Sequence, residues 1–505
     1  MTLDLRRWAL EDPERLAVRV GTVSTTYGEL EAQANRVARV LREYGIERGD
    51  HVAALMGNGA SVFAVVWGAY RVGAYITPVP STASVEDAAY IVRDCGARAV
   101  IADACLGDGL KALPSMADQC AVWLALSGEI PGFISLDPLL AKAPDTPVDN
   151  ESSGALMMYT SGTTGHPKGV WRALSPTVSA CPPFAQDLIA MFDVSENSRY
   201  LSTAPLYHAA PLRFGLAFLA AGGSVFVMPR FEASKALELL QNEQITHSQW
   251  VPTMFQRLLD LDERQRAQFK APHHRLALHS AAPCPVPVKR AMIEWWGPIL
   301  EEYYSGSEGV GLTAITSEEW LARPGSVGRA RKGTLHILDE AENELGAGET
   351  GRVFFSGIAP FAYHGAPEKT ALRTSRQGWQ TFGDLGYADA DGYLFLTDRL
   401  DDMIISGGVN IYPQELEAAL LEMPEIAEVA VVGAPDHEFG ERPVAFVVPR
   451  QSHVDPIVLA EAIGAFALQR LGRIKRPRDI RIVEALPYSP QGKLLRRELR
   501  RQLAS

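Results

Sequence analysis

Segments of helical spacing alternate with short apolar segments through the first half of the chain, and this alternation limits the possible folds more than any other feature. Thr26 and Glu29 form a predicted capping box, and an apolar stripe with helical spacing follows them. The segment "HVAAL" then has the composition of a buried strand. The same order of helix and strand recurs in residues 61–80, 88–103 and 232–251. Strands that alternate with helices of about ten to fifteen residues predict parallel, doubly wound sheets.

The pattern changes after Arg323. Residues 333–357 and 387–400 alternate and turn in a way that is typical of antiparallel hairpins. After Arg399 the chain has the pattern of a compact α+β unit, with helices predicted at residues 413–421 and 456–471 and strands at residues 427–435 and 442–449. We therefore expect an α/β protein with a large N-terminal domain, residues 1–399, that includes a small antiparallel β subdomain. Residues 400–505 would form a small α+β C-terminal domain.

Composition excludes several classes of partner and compartment. The net charge of −12 argues against nucleic acid as the main partner. The five cysteines form no C-x-x-C pair, so we expect no zinc cluster and a reducing compartment, the cytoplasm. The stretch nearest to a membrane span, residues 52–70, is interrupted by "MGNGAS", and we expect buried core and no integral membrane segment. The oligomeric state stays open, with a homodimer as one option.

The segment "YTSGTTGHPKGV", residues 159–170, has the composition of a phosphate-binding loop. It differs from a Walker loop, because His166 and Pro167 separate the last loop glycine from Lys168. Backbone N–H groups of such a loop bind anions, and its hydroxyl and ammonium groups would add donors. The preceding "ALMMY" predicts a buried strand that delivers the loop. A phosphate site is favoured over an exposed flexible loop, and a P-loop nucleoside triphosphatase, which would release ADP, remains a rival.

Seven segments, in order along nearly the whole chain, resemble the motifs of the AMP-forming adenylating enzymes, which include acyl-CoA synthetases, peptide-synthetase adenylation domains and firefly luciferase. The segments are "YTSGTTGHPKGV", "APLYHAAP", "HSAAPCP", "EYYSGSEG", "TFGDLGYAD", "TDRLDDMIISGGVNIYPQELE" and "PYSPQGKLLRREL". The resemblance implies an enzyme that joins a carboxylic acid to the α-phosphate of ATP and releases pyrophosphate. Intact charged residues in these motifs argue against a non-catalytic nucleotide-binding scaffold.

The same resemblance implies binding roles for ATP and Mg²⁺. Glu308 would hold Mg²⁺, Asp384 would accept from the ribose hydroxyls with Arg399 beside it, and Lys168 would hold the β- and γ-phosphates. The other phosphate-loop residues are Thr160, Ser161, Gly162, Thr163, Thr164 and Gly165. Adenine would lie between two groups of residues, which are Ser280, Ala281, Ala282 and Pro283 on one side and Tyr303, Tyr304, Ser305 and Gly306 on the other.

This sequence departs from the family's Y-G-x-T-E motif at two positions. Ser307 stands where the motif has threonine and keeps the hydroxyl, so we expect its phosphate contact to survive. Ser305 stands where the motif has glycine, and we expect it to add bulk near adenine or the acyl carboxylate.

The acyl acceptor is predicted to be coenzyme A. The segment "SGGVNIYPQELE" resembles the coenzyme A ligases, in which Gly407 and Gly408 would flank the pantetheine tunnel. The basic segment "LGRIKRP" could bind the phosphates of coenzyme A, and a solvated helix end explains it equally well. The resemblance further implies a mobile C-terminal domain that rotates about Asp401, with Lys493 as the catalytic lysine of adenylation. Transfer of the acyl group to a carrier protein is the alternative.

The acid is less well specified. The candidate pocket residues are aromatic or small, and they are Tyr207, His208, Ala209, Ala210, Phe214, Trp250, Ala281 and Val310. Arg213, next to Phe214, is the only charged residue that we add to these candidates. An apolar acid is therefore expected, either a fatty acid or an arylpropenoic acid. A dicarboxylate of the malonate type is the alternative, with Arg213 as its cation. His208 would line the pocket or act as a base.

Overall fold

The N-terminal region is built on two sheets whose parallel strands alternate with helices, as the sequence predicted. The computed structural model describes residues 4–160, 167–176, 182–399, 402–406, 409–437, 439–451, 455–488 and 494–504. The strands of the nine-stranded sheet, in spatial order, are Arg329–Lys332, Leu312–Thr316, Leu300–Tyr304, Leu276–His279, His247–Trp250, Arg199–Ser202, Ser224–Val227, Leu16–Val20 and Val23–Thr26. Its central strands are parallel, and antiparallel strands close both edges.

The second sheet has six strands, all of them parallel. Their order is Ile134–Ser135, Val122–Leu126, Ala97–Asp103, His51–Leu55, Tyr75–Val79 and Ala155–Leu156. The helices Tyr27–Glu43, Ala60–Arg71 and Ala209–Ala220 share one buried apolar cluster with residues of both sheets, so they form the layer between them. The predicted capping box of Thr26 and Glu29 is present at the start of the first of these helices.

The remaining N-terminal helices cover the outer faces and the ends of these sheets or connect their strands. They are Leu5–Glu11, Val85–Asp94, Leu113–Met116, Asp137–Lys142, Pro183–Met191, Ala233–Asn242, Pro252–Leu259, Glu263–Gln268, Val286–Trp296, Ser317–Ala322 and Pro367–Ala371. Residues 52–70, which the sequence assigned to buried core, divide between strand His51–Leu55 and helix Ala60–Arg71. In the part of the chain that the structure describes, no helix combines the length and apolar character needed to cross a membrane.

Two antiparallel sheets complete the N-terminal region. One contains Thr334–Leu338, Gly351–Ser356, Asp384–Ala388 and Leu394–Arg399, which are the hairpins that the sequence predicted. The other contains Ala362–Tyr363, Lys168–Trp171 and Met158–Thr160. The predicted single strand "ALMMY" is instead divided, because Ala155–Leu156 pairs in the six-stranded sheet while Met158–Thr160 pairs with Lys168–Trp171. That division turns the chain from a parallel sheet into a hairpin just before the phosphate loop.

The C-terminal region is the predicted α+β unit. Its sheet is formed by Val409–Ile411, Ile404–Ser406, Gly440–Pro449, Ile426–Asp436 and Asp479–Ile482. Its helices are Pro413–Leu420, Pro456–Lys475 and Arg496–Ala504. The second helix continues four residues beyond its predicted end at residue 471, to Lys475. The Arg496 guanidinium donates to both carboxylate oxygens of Glu417 and thereby ties the last helix to the first.

Candidate active site

Three of the predicted motifs follow parallel strands of the nine-stranded sheet. The segment that contains Tyr207 and His208 follows strand Arg199–Ser202, Ser280 follows Leu276–His279, and Ser305 follows Leu300–Tyr304. Because the carboxyl ends of parallel strands lie at one edge of a sheet, these motifs come together there. We call this edge of the nine-stranded sheet the carboxyl edge.

The phosphate loop is held by a hairpin rather than by a strand and a helix. Strand Met158–Thr160 pairs antiparallel with Lys168–Trp171, with Thr160 opposite Lys168. The loop residues Ser161, Gly162, Thr163, Thr164 and Gly165 lie outside the described residues, and their phosphate contacts stay predictions. The Tyr159 hydroxyl donates to Asp94 Oδ2 at 2.5 Å and fixes the hairpin to helix Val85–Asp94. The two flanking strands set Thr160 and Lys168 side by side at the base of the loop.

Tyr363 connects the phosphate-loop lysine with the predicted magnesium ligand. The Nζ atom of Lys168 lies 5.3 Å from the centroid of the Tyr363 ring, and the Tyr363 hydroxyl donates to Glu308 Oε1 at 2.8 Å. Burial and the neighbouring carboxylate of Glu308 raise the pKa of Tyr363, so the phenol keeps its proton and stays a donor. Two residues from distant parts of the sequence therefore contact the same tyrosine. Lys168 lies near its ring, and the carboxylate of Glu308 accepts from its hydroxyl.

Two arginines hold the backbone of the turn that carries Glu308. Arg172 Nη2 donates to the carbonyl oxygens of Glu308 at 2.7 Å and of Gly309 at 3.0 Å. Arg213 Nη2 donates to the carbonyl oxygen of Ser307 at 3.0 Å. Burial, together with the nearby Arg172, lowers the pKa of Arg213 to about 10, which leaves it charged at neutral pH. These charge-assisted hydrogen bonds fix the direction of the Glu308 side chain.

The predicted ribose ligands also come together. Asp384 is 6% exposed, and its Oδ2 atom accepts a hydrogen bond of 2.5 Å from the Tyr304 hydroxyl. Asp384 pairs with Arg399 across the antiparallel strands Asp384–Ala388 and Leu394–Arg399. The side chain of Arg399 lies outside the described residues, so its contact with ribose stays a prediction. Tyr304 thus links the predicted adenine and ribose positions.

Ser305 has a different role from the one that its sequence position suggested. Its Oγ atom donates to the Gly311 carbonyl oxygen at 2.8 Å and closes the turn that contains Glu308. The expected bulk near adenine is therefore directed into the turn itself. Gly306, the next residue, tolerates no side chain, because an added Cβ atom would lie 2.6 Å from the ring of Phe382.

The other predicted adenine-side residues lie next to this turn. Tyr303 is buried, and its hydroxyl oxygen accepts a hydrogen bond of 2.6 Å from Gln249 Nε2. Ala281 has a φ of +80°, in the left-handed region that residues other than glycine rarely adopt. Ala282 is partly buried and Pro283 completes the turn before helix Val286–Trp296. The adenine-side segment is thus a strained turn at the carboxyl edge.

His208 precedes the helix Ala209–Ala220, and the predicted acyl-pocket residues Ala209 and Ala210 form the first turn of that helix. The rings of Tyr207 and His208 are 4.2 Å apart and nearly perpendicular. Burial lowers the pKa of His208 to about 3, so its imidazole is neutral at neutral pH. A ring with such a low pKa is a weak general base.

Three other predicted pocket residues lie in the core. Phe214 packs against Phe192 and Tyr303, and Trp250 packs against Phe255 and Trp296. Phe214, Trp250 and Val310 are each exposed by 2% or less. Their contact with an acyl group stays a prediction, since a place in the core accounts for each of them.

Several predicted residues of the C-terminal region lie outside the described residues. They are the hinge residue Asp401, the paired Gly407 and Gly408, and the catalytic Lys493. Lys475, which was considered for the phosphates of coenzyme A, donates to both carboxylate oxygens of Glu415 at 2.7 and 2.8 Å. A helix-end ion pair therefore accounts for this lysine.

Sequence reasoning missed Tyr363 and the backbone-holding role of Arg172. Tyr363 belongs to the three-stranded antiparallel sheet, Arg172 directly follows its strand Lys168–Trp171, and both reach Glu308 from positions far away in sequence. Arg172 was detectable as a charge directly after the apolar strand residues "GVW", but its partners were not. Within the described ranges no group of three or more His, Cys, Asp or Glu side chains could hold a metal ion. One carboxylate completed by phosphate oxygens and water is how Mg²⁺ commonly binds in nucleotide sites, and Glu308 fits that arrangement.

Comparison with known proteins identifies the family of this chain. The AMP-binding enzyme family model matches residues 5–362, and the AMP-binding enzyme C-terminal domain model matches residues 415–493. The chain belongs to the AMP-binding enzyme family. It is 32% identical over 492 residues to the long-chain-fatty-acid–CoA ligase FadD13 of Mycobacterium tuberculosis, covering 96% of this chain and 94% of that protein.

Two further similarities agree with that family. The chain is 30% identical over 506 residues to a feruloyl-CoA synthase of an Amycolatopsis species, covering 98% of this chain and 97% of that one. A solved structure of the o-succinylbenzoate CoA synthetase MenE from Bacillus subtilis, in complex with its acyl-adenylate intermediate, superposes with a TM-score of 0.83 at 26% identity. It covers 99% of this chain and 98% of that chain. The predicted enzyme class, an AMP-forming acyl-CoA synthetase, is confirmed.

Proposed function

We propose that this enzyme uses ATP and Mg²⁺ to convert an acid with a largely apolar body into its acyl-adenylate, and then transfers the acyl group to coenzyme A. The observation that carries the proposal is that Tyr363 contacts both Lys168 and Glu308. Tyr304, from the motif that contains Glu308, donates to Asp384. Lys168 would neutralise the leaving pyrophosphate, and Asp384 would accept from the ribose hydroxyls. Glu308 would hold Mg²⁺. When bound, this ion supplies positive charge that stabilises the negative charge on the leaving pyrophosphate.

The reaction joins two anions, so the protein's main contribution is positioning and charge. Arg172 and Arg213 fix the Ser307–Gly309 turn, so that the carboxylate of Glu308 is already in place before the substrates bind. The neutral ring of His208 would line the path between acid and nucleotide rather than take up a proton. Lys493 would bridge the acid's carboxylate and the α-phosphate in the first half-reaction.

The products distinguish this proposal from its rivals. Incubation with ATP, Mg²⁺ and a panel of acids is expected to yield AMP and pyrophosphate only when an acid is present, with thioester formed only when coenzyme A is added. ADP as the main product would indicate a nucleoside triphosphatase instead. If acyl-adenylate accumulates in the presence of coenzyme A and is consumed only when a carrier protein is added, the acceptor is the carrier protein and not coenzyme A.

The two half-reactions test the role of Lys493 and of the predicted hinge. Lys493→Ala is expected to reduce adenylation by about 10²–10³-fold, because one well-placed electrostatic partner is lost. The same variant should convert supplied acyl-adenylate and coenzyme A to thioester at nearly the normal rate. Asp401→Pro, which fixes φ at the pivot, is expected to spare adenylation and reduce thioester formation. Equal loss of both half-reactions in Lys493→Ala would contradict the two-conformation mechanism.

Arg213 supports a second candidate, an acid that carries an oxygen acceptor such as a second carboxylate. It lies on the same helix face as Ala209 and Ala210, one turn further on. Its Nε atom is buried and has no hydrogen-bond partner among the described residues, and an unpaired buried donor is costly. A ligand oxygen at this place would satisfy it.

Matched acids decide between the two candidates. An alkanoic acid and the alkanedioic acid of the same length are assayed with the native enzyme and with Arg213→Met. If the substrate carries a distal oxygen, the native enzyme prefers the diacid and the variant loses this preference. If the substrate is purely apolar, the native enzyme prefers the monoacid, and the variant lowers the rates for both acids equally through the Ser307 turn.

A further inference from the structure

A buried cluster of one ion pair and one neighbouring histidine lies directly beneath the carboxyl edge. Glu302 is on strand Leu300–Tyr304, and Lys289 is on helix Val286–Trp296. The Nζ atom of Lys289 lies 2.6 Å from Glu302 Oε2, and His279 Nε2 lies 3.7 Å from the same oxygen. The exposed fractions of Lys289, His279 and Glu302 are 0%, 0% and 5%. None of the three was assigned a role in binding or catalysis above.

The cluster joins both ends of the adenine-side segment, residues 280–285. His279 immediately precedes this segment and is the register partner of Glu302 on the neighbouring strand. The segment ends where the helix that carries Lys289 begins. One end of the segment is thus adjacent to His279, and the other lies one helical turn before Lys289, which pairs with the carboxylate of Glu302. Tyr304, two residues beyond Glu302, reaches Asp384.

The segment between these two ends is strained. Ala281 has a φ of +80°, and a non-glycine residue keeps such a conformation only when its surroundings enforce it. A buried ion pair is a weak source of net stability, because an apolar pair of similar volume often stabilises a fold as well or better. The presence of this pair beneath a strained turn is therefore better explained by the conformation that it enforces.

Aromatic side chains surround the cluster. The Lys289 ammonium lies 4.8 Å from the centroid of the Trp320 ring, and His279 packs against Phe255 at 5.3 Å. Burial keeps the pKa of His279 well below its ordinary value, so its ring is neutral. Burial also raises the pKa of Glu302, an effect that the neighbouring Lys289 opposes.

We propose that the ion pair of Glu302 and Lys289, packed beside His279, forms a clamp that holds the strained turn at Ala281 in the conformation that binds the adenine of ATP. Glu302 and Lys289 would then be positioning residues for the nucleotide, acting through the 280–285 segment without touching the ligand. The proposal rests on the adenine site of the proposed function. Loss of the clamp would let the turn relax, and binding would have to restore the strain.

The test uses the double variant Lys289→Met with Glu302→Met, which removes both charges and leaves no unpaired one. Thermal unfolding establishes that it is folded. The dissociation constants for ATP and for tripolyphosphate, which lacks adenine, are then measured by calorimetry. We expect ATP affinity to fall about tenfold, the change that a strain of this size corresponds to, while tripolyphosphate affinity is unchanged.

A matched control comes from the buried ion pair of Arg71 and Glu31, which links the helices Tyr27–Glu43 and Ala60–Arg71 away from the carboxyl edge. Arg71→Met with Glu31→Met is expected to change the melting temperature without changing the affinity for ATP. Equal loss of ATP affinity in both double variants would show that the pair of Lys289 and Glu302 contributes only to overall stability, and would overturn the proposal.

Ala281→Gly provides the decisive rescue. Glycine adopts a positive φ without strain, so this substitution in the clamp-deficient background should regain most of the lost ATP affinity. Absence of rescue, or unchanged ATP affinity in the clamp-deficient variant, would disprove the clamp. A native enzyme that binds tripolyphosphate but not ATP would instead contradict the proposed adenine site, so the two failures are distinguishable.

Discussion

The two parallel sheets of the N-terminal region share an architecture but differ in what they bury. In the strands of the six-stranded sheet, Thr77 is the one buried polar residue, and the other buried residues are apolar. The nine-stranded sheet buries eight polar or charged strand residues, which are Ser202, Ser224, His247, Ser248, Gln249, His279, Glu302 and Thr313. Buried polar groups are costly unless they are paired, and a protein retains them where geometry matters. The difference marks the nine-stranded sheet as the one that carries the site.

The largest expected effect is on stability, when one charge of the nine-stranded sheet's core is left alone. Lys289→Met leaves the Glu302 carboxylate buried without its cation, and we expect a loss of about 3–5 kcal/mol in the free energy of unfolding. Ile101→Val, in the apolar core of the six-stranded sheet, should cost only about 0.5–1.5 kcal/mol. Urea unfolding measures both, and equal losses would show that the two cores do not differ in this way.

The next effect compares acidic residues at equivalent ends of the two sheets. Glu308→Ala, beyond a carboxyl end of the nine-stranded sheet, is expected to lower acid-dependent pyrophosphate release by about 10²–10³-fold through loss of electrostatic stabilisation. Asp103→Ala, at the carboxyl end of strand Ala97–Asp103, serves as the control, because it belongs to the six-stranded sheet. A comparable fall in both variants would mean that either sheet could carry the reaction.

A smaller effect concerns pH. His274 Nε2 lies 2.7 Å from Ser248 Oγ in the nine-stranded sheet, and burial lowers the pKa of His274 to about 3. Because this folded-state pKa is below the unfolded value of about 6.5, the stabilising contribution is complete above pH 6.5 and is lost as pH falls. Between pH 8 and pH 5 the loss should be about 2 kcal/mol for this one group.

Urea unfolding at the two pH values measures that loss. His274→Gln should reduce the difference between pH 8 and pH 5 by this amount, whatever its effect at pH 8. His273→Gln, at the exposed neighbouring position, controls for the substitution itself. An unaltered difference in His274→Gln would mean that other groups cause the acid sensitivity.

The smallest expected effect compares two equal hydrogen bonds in different surroundings. Ser305 Oγ donates to the Gly311 carbonyl, and Ser115 Oγ donates to the Ala112 carbonyl beside the six-stranded sheet, both at 2.8 Å. Ser305→Ala is expected to cost about 0.5–1.5 kcal/mol and to raise the KM for ATP. Ser115→Ala, at an exposed position, should cost less and leave the KM unchanged. A larger effect of Ser115→Ala would contradict this difference.

The order of helices and strands was predictable because local patterns determine it. The helix–strand units, the capping box of Thr26 and the hairpins after residue 333 can all be recognised from residues that are close together in the sequence. The strand break after Leu156 was not predictable, since "ALMMY" is uniformly apolar and only pairing with two different sheets divides it. Local pattern therefore specified the elements, and tertiary pairing specified the turn into the phosphate hairpin.

The site was predictable where motifs name its residues and unpredictable where it depends on contacts across the fold. The motifs predicted Lys168, Glu308 and Asp384, whose binding roles stay predictions. Tyr363 was missed because its contact with Glu308 joins residues 55 positions apart. Lys289 and Glu302 were passed over for the same reason, since a lysine on a helix and a glutamate on a strand are unremarkable until their burial and separation of 2.6 Å are known.

The hairpin beneath the phosphate loop separates two tasks that a Walker loop combines. In this chain the lysine is the first residue of strand Lys168–Trp171, fixed by its pairing with Thr160, while the glycines and hydroxyls belong to the connection between the strands. The sheet thus fixes the position of Lys168, whereas the other predicted phosphate-binding groups belong to the loop. Protein engineers could exchange residues 161–166 for a library of other connections and still retain the charge in its place, which makes this hairpin a graft point for new anion specificities.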